Sequence, residues 1–257
     1  MKRKGSNWTR EESIIVFNLY CRTPFGRMHK SNPEIIQVAK SIGRTASAVA
    51  MRMVNFASLD PAQKERKIKG LSHASKQDRQ VWNEFCHDWG ELAFESQRAI
   101  WEITGEQRKR SMAEDILRDS ETPTETLKPV RVRLVQRFFH DTVLSIYNFT
   151  CAVCGLSLPI LLNASHIIPW SVDEIRRADP RNGLSLCVLH DRAFDRGLIS
   201  VNERFEIVLS RKAKVREVSR LFKVGFLDVE GVRIRLPDRF HPDPTAFAYH
   251  REQIFLR

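Results

Sequence analysis

Residues 151–197 open with CAVCG (151–155) and continue through ASHIIPW (164–170), PRNGLSLC (180–187) and LHDRAFDRG (189–197). A Cys-x-x-Cys pair is followed by an isolated His on an apolar run, an Asn-Gly pair, a lone Cys and a His-Asp-x-x-x-Asp cluster. Hydrolysis of a phosphodiester needs an activated water, a cation on the phosphate oxygens and a rigid frame for both. A neutral imidazole is the natural base near pH 7. A hard divalent cation such as Mg²⁺ takes carboxylate oxygens. The segment supplies these groups within a short span.

The pattern predicts how they are spread. Pro159 to Ile168 is apolar and bounded by prolines, which reads as a strand or a pair of short strands, with His166 near its end. Ser171 to Asp179 is a polar connector, and Asn182-Gly183 is a turn signal. Leu184 to Val188 reads as a second strand. His190 to Arg196 reads as one or two helical turns with Gly197 as its cap. On such a helix Asp191 and Asp195 share one face.

These motifs resemble the HNH (ββα-metal) endonuclease family, in its bacterial restriction-type subfamily. The resemblance implies roles residue by residue. His166 takes the place of the general base, and Asn182 that of the residue holding the loop that orients it. The metal-binding position nine residues after the Asn is Asp191, with Asp195 as a further ligand one turn later. The implied catalytic ion is Mg²⁺ or Mn²⁺. Two departures matter. Ser165 stands where the family often has a metal-binding Asp, and the third motif letter is Asp rather than His or Asn.

A second metal is expected. Cys151 and Cys154 have knuckle spacing, and Cys187 and His190 repeat it as Cys-x2-His. In zinc-containing relatives a second such pair directly precedes the third motif residue. This implies a structural Cys3His zinc at Cys151, Cys154, Cys187 and His190. The alternative is a redox or packing role for the Cys-x-x-Cys pair, with His190 on the catalytic ion.

Composition is consistent with this. The 257 residues carry a formal net charge of +11 and 42% hydrophobic content, enough for two small cores. A basic balance biases a chain toward polyanions such as DNA. No apolar run is long enough to span a membrane, and the start MKRKGSNWTREE lacks an apolar signal segment. Five cysteines, with Cys21 and Cys86 isolated, favour a reducing, cytoplasmic setting.

The N-terminal part reads as helical. Thr9 and Glu12 form a capping-box pattern before Ile15, Val16, Leu19 and Tyr20. Asn32-Pro33 starts a second helix, Ile42-Gly43-Arg44 makes a tight turn, and Thr45 caps a third. This trihelical layout resembles helix-turn-helix modules, with Ser47, Arg52 and Asn55 as candidates for nucleic-acid contact. Met51 and Met53 read as core. Lys64, Arg66, Lys67 and Lys69 form a basic run, and Ser75 to Ile103 reads as one or two helices with core aromatics.

The expected fold class is α+β, an N-terminal all-α domain plus a C-terminal ββα-metal domain. The expected boundaries are 1–105 for a helical DNA-binding domain, 106–129 for a linker and 130–257 for the nuclease domain with its zinc knuckle. Val130 to Tyr147 reads as an amphipathic helix, with Arg133 and Arg137 as phosphate-contact candidates. Leu198 to Leu209 reads as a hairpin, Val232 to Leu236 as a strand, and Phe247 to Phe255 as a closing helix with a surface His250. The implied activity is metal-dependent DNA cleavage in restriction or defence, by a homodimer since one site cuts one strand. The alternative is a DNA-binding regulator with an inactive HNH fold.

Overall fold

Thr9 and Glu12 do form a reciprocal capping box, and the helix it starts, α1 (Arg10–Arg22), is the centre of the N-terminal unit. The structure is a computed structural model, and it describes residues 7–65, 74–105, 127–213 and 218–257. The chain divides into two compact units, Met1–Phe138 and Phe139–Arg257. Most of the expected linker and the basic run from Arg66 to Lys69 lie outside the described residues. The last three linker positions begin a helix, α7 (Leu127–Ile146).

In the first unit α2 (Pro33–Ser41) follows the Asn32 cap with Pro33 in its first turn. A left-handed Gly43 turns the chain into α3 (Ala46–Ala57), capped by Thr45. A short α4 (Pro61–Glu65), then α5 (Lys76–Phe85) and α6 (Trp89–Thr104) follow, and the first part of α7, to Phe138, also belongs to this unit. Every residue of α1 from Glu12 to Cys21 is buried. A helix covered on all sides needs partners all round, and α3, α5 and α6 supply them. Phe17 sits 4.7 Å from Phe56, 5.3 Å from Trp82 and 6.1 Å from Trp89, ring centre to ring centre. The trihelical segment is thus present in order but forms part of a larger helical bundle.

That bundle corrects the reading of Arg52. Its side chain is buried and pairs with the fully buried Asp78 at 2.6 Å. It also donates to Ser13 Oγ at 2.9 Å. Arg44 pairs with the buried Glu12 at 2.8 Å, and the two guanidiniums flank Trp8 at 4.7 and 4.5 Å. Arg52 is therefore a structural cation rather than a contact residue. Asn55 is half-buried and donates to Asp78 at 3.4 Å. Ser47 is exposed, and so is Met51, whereas Met53 is core.

In the second unit β1 (Leu162–His166) pairs antiparallel with β2 (Gly183–Cys187), placing His166 opposite Gly183. The helix α8 (Val188–Asp195) follows β2 without a loop and packs on both strands. The end of α7 covers the ladder. A Cβ on Gly183 would lie 2.4 Å from Val143 Cγ2 and 2.9 Å from Phe139 Cζ, so only glycine fits there. Gly183 is extended, and the turn before it is the 3₁₀ segment Pro180–Asn182. β3 (Ile199–Val201) and β4 (Ile207–Leu209) form the expected hairpin. The last helix is α9 (Pro244–Gln253), capped by Asp243.

The expected strand at 232–236 is reduced to one bridge, Arg233 to Glu206. Its backbone takes partners in different places, Ile234 N–H on Phe205 and Arg235 N–H on Ala152, so no ladder forms. Gly197 ends α8 with a left-handed backbone, and a Cβ there would meet the Ile254 carbonyl at 2.1 Å. No helix among the described residues is long and apolar enough to cross a membrane.

Replacing Asp78 with Ala strands the Arg52 charge in the bundle interior. The expected loss is about 3–5 kcal/mol in denaturant unfolding. A loss under about 1 kcal/mol, the range of an exposed ion pair, would contradict the structural role assigned to this pair.

Candidate active site and metal cluster

β1 ends at His166, and the loop after it decides which way the imidazole works. The ring stacks on Phe139 at 3.7 Å with planes 9° apart, and Trp170 meets it edge-on at 5.7 Å. His166 Nε2 lies 3.0 Å from the Arg177 carbonyl. A carbonyl only accepts, so Nε2 carries the proton and Nδ1 is left as the basic nitrogen. Burial holds the His166 pKa below the ordinary imidazole value, and the Arg177 hydrogen bond offsets part of that.

Arg177 is itself fixed. Its Nε donates to the Trp170 carbonyl at 3.0 Å, and its guanidinium lies 5.0 Å over the Trp170 ring. Asn182 ties both ends of the loop. Its Oδ1 accepts the Ile168 N–H at 2.8 Å and its Nδ2 donates to the Ile168 carbonyl at 3.0 Å. A longer bond of 3.4 Å reaches the Arg176 carbonyl.

Asp191 and Asp195, one turn apart on α8, face the same cleft as His166. The cleft has a volume of about 590 Å³ and is also lined by Asn163, Ser165 and Trp170. Asn163 Nδ2 donates to Asp191 Oδ2 at 2.7 Å. Burial raises the Asp195 pKa, and the charge of Asp191 raises it further. Two carboxylates whose charges disfavour one another are a donor set that a divalent cation relieves. Ser165 is 4% exposed and its Oγ has no hydrogen-bond partner among the described residues. An unpaired buried hydroxyl on this wall fits a site that takes a polar ligand.

The second cluster lies behind β2. The ligand atoms of Cys151, Cys154, Cys187 and His190 all fall within 4.8 Å of one another. Cys187 Sγ is 3.1 Å and Cys151 Sγ 3.7 Å from His190 Nδ1. His190 Nε2 donates to the Gly225 carbonyl at 2.8 Å, which turns Nδ1 toward the sulfurs. A Cys3His set with its imidazole oriented by a backbone carbonyl suits tetrahedral zinc. Hydrogen bonds from Cys154 and then Cys187 hold the Cys151 thiol far below its ordinary range. His190 is thus grouped with the cysteines, and Asp191 beside it faces the cleft.

Four features escaped the sequence reading. Asn163 was unremarkable in an apolar run. His140, from α7, lines the cleft. The orienting carbonyl belongs to Arg177, and a backbone atom leaves no residue signature. His250 is not a surface residue: it is 1% exposed and also borders the cleft. Its ring stacks on Phe194 at 3.7 Å, Nε2 donates to the Phe194 carbonyl at 3.1 Å, and Nδ1 sits 2.9 Å from Ser200 Oγ. Burial lowers its pKa to about 4. Of the remaining candidates, Ser47, Arg52 and Asn55 belong to the N-terminal unit, as do Arg133 and Arg137. Arg133 is exposed, and Arg137 lines a smaller cavity of about 240 Å³ in that unit.

The cluster gives a direct test. The wild-type chain is expected to retain one equivalent of zinc by elemental analysis, and Cys187→Ser to lose it with a Tm lower by roughly 5 °C or more. Unchanged metal content and Tm would remove these residues from a metal site.

Residues 151–202 match the family model described as HNH endonuclease. No curated protein matches the chain. The matched segment holds β1, β2, α8 and all four residues of the Cys/His cluster. With its antiparallel pair and its following helix, this segment is similar to the HNH endonuclease family.

Proposed function

We propose that the C-terminal unit hydrolyses phosphodiester bonds in DNA, with His166 as the general base. The observation that carries this reading is one cleft holding an imidazole of fixed tautomer together with two carboxylates. His166 Nδ1 takes a proton from the attacking water. The ring needs no reorientation, because Phe139 and the Arg177 carbonyl already hold it. Asn182 keeps that carbonyl in place by tying the loop.

Asp191 and Asp195 would hold Mg²⁺ or Mn²⁺, with Asn163 orienting Asp191. Such an ion, when bound, neutralises charge on the phosphate and on the leaving oxygen. The Cys3His cluster would hold structural zinc and clamp the start of α8 to the 151–155 knuckle. The net charge of +11 supports a polyanionic substrate. A restriction or defence role follows from the family resemblance. One such site cuts one strand, so double-strand cleavage requires two copies on the DNA.

Ser165 in place of a metal-binding Asp favours a second reading, a DNA-binding regulator with an inactive fold. Plasmid cleavage separates the two. Wild type is expected to nick plasmid with Mg²⁺ or Mn²⁺ and not with EDTA. His166→Ala is expected to lose cleavage by roughly 10³-fold or more while DNA affinity stays nearly unchanged. Equal activity of wild type and His166→Ala would sink the assignment of the base.

The pH profile carries a sign. A base works deprotonated, and burial lowers the His166 pKa. The acid limb of kcat/KM is therefore expected below pH 6.5, with a plateau through neutrality. A limb centred above that value would contradict a buried neutral base. Asn163→Ala, which frees the Asp191 carboxylate, is expected to raise the metal concentration for half-maximal rate by about 10–100-fold. An unchanged metal titration would remove Asn163 from the site.

A further inference from the structure

Cleavage at phosphorus needs two proton movements, and the residues above account for one. A proton leaves the attacking water, and another must reach O3′ to give a 3′-hydroxyl, which adds to the charge neutralisation that the ion supplies there. His166 cannot do both at once, because its Nε2 proton is held by the Arg177 carbonyl. Among the described residues lining the cleft there is no Lys, Arg, Tyr or Cys. Asp191 and Asp195 are assigned to the cation. Two imidazoles remain, His140 and His250.

They differ in what they can reach. His250 is 1% exposed and both its ring nitrogens are occupied, one by Phe194 and one by Ser200. His140 has 54% of its side chain exposed. It follows Phe139, the residue whose ring is stacked on His166 at 3.7 Å, so the same turn of α7 braces the base and carries a second imidazole to the cleft wall. His140 Nδ1 lies 3.1 Å from the Asp141 carboxylate. A carboxylate only accepts, so Nδ1–H stays on Asp141 and Nε2 is the nitrogen left for exchange with substrate.

We infer that His140 is the general acid of the reaction and that Asp141 is its positioning residue. This rests on the nuclease reading above. In the step, the water oxygen bonds to phosphorus while His166 Nδ1 takes a water proton. The P–O3′ bond breaks, its electron pair goes to O3′, and O3′ takes the Nε2 proton of the His140 imidazolium. The products are a 5′-phosphate and a 3′-hydroxyl. Solvent then removes the proton from His166 and returns one to His140, so the net reaction consumes one water.

A sulfur leaving group tests this, because a thiolate departs without being protonated. Oligonucleotides with an ordinary linkage or a 3′-bridging phosphorothiolate are cleaved in Mn²⁺ by wild type, His140→Ala, Asp141→Asn and His166→Ala. General acid catalysis contributes about 10²–10⁴-fold. His140→Ala is therefore expected to lose kcat by roughly 10²-fold or more on the oxygen substrate, with little change in KM, and to lose less than about 3-fold on the sulfur substrate. Asp141→Asn is expected to show the same pattern with a smaller loss. His166→Ala should fail on both substrates, since the water must still be deprotonated.

An equal loss on both substrates, or no loss on either, overturns the assignment of His140. Wild type inactive on both substrates overturns the nuclease reading and the acid with it. His140 is exposed and its replacement is not expected to shift Tm. His140→Gln, similar in shape but unable to supply the proton, keeps the test intact if the alanine variant proves unstable.

Discussion

The Asn182 carboxamide is buried and spends both its ends on one residue, taking the Ile168 N–H and giving to the Ile168 carbonyl. Its own backbone carbonyl accepts the Ile167 N–H. These three bonds close the loop between β1 and β2 into a fixed ring. The Arg177 carbonyl lies on that ring, and it determines which nitrogen of His166 is basic. Removing the carboxamide would leave a buried N–H and a buried C=O without partners, at about 1–3 kcal/mol each. It would also release the carbonyl that sets the His166 tautomer. Stability and chemistry are therefore coupled at this residue.

The same device recurs. In His166, His190 and His250 alike, Nε2 donates to a backbone carbonyl, of Arg177, Gly225 and Phe194 respectively. Each bond fixes a tautomer and frees Nδ1 for a different partner. In His190 it faces two sulfurs, in His250 a serine hydroxyl, and in His166 it is left for a proton. Burial lowers the pKa of His166 and of His250. Identical local chemistry gives a candidate base, a metal-ligand candidate and a structural brace, according to what stands at Nδ1.

Short-range order was legible in the sequence. Thr9/Glu12, Asn32-Pro33 and Thr45 cap the helices they were read to cap, because capping is settled within four residues. The step from Asn182 to Asp191 puts the carboxylate on α8 because strand and helix are contiguous. What failed depends on distant partners. Arg52 has the spacing of a contact residue, but Asp78 buries it from another helix. The alternation at 232–236 suggests a strand, yet Arg235 bonds to the knuckle at Ala152. His250 sits on a short terminal helix whose sequence gives no sign of Phe194 and Ser200 waiting beneath it.

These distant partners explain why the family segment alone is not the whole site. Residues 151–202 supply the candidate base, carboxylates and Cys/His donors. Asn163, Asn182 and the Arg177 carbonyl, inside that span, orient part of this set, and the rest of the support comes from outside. Phe139 on α7 stacks on His166 and, with Val143, packs where a Cβ of Gly183 would be. The Gly225 carbonyl turns His190 toward the cysteines. His250 holds Phe194, on the face of α8 one residue before Asp195, and the Ile254 carbonyl closes on Gly197 so tightly that no side chain fits. Sites need their reactive groups held within a fraction of an ångström. In this unit the donors fall within one segment, while several of the groups that hold them come from both flanks. An isolated 151–202 segment would keep the donor atoms, Asn182 and the Arg177 carbonyl, and lose the stacking on His166, the carbonyl that turns His190 and the support at the end of α8.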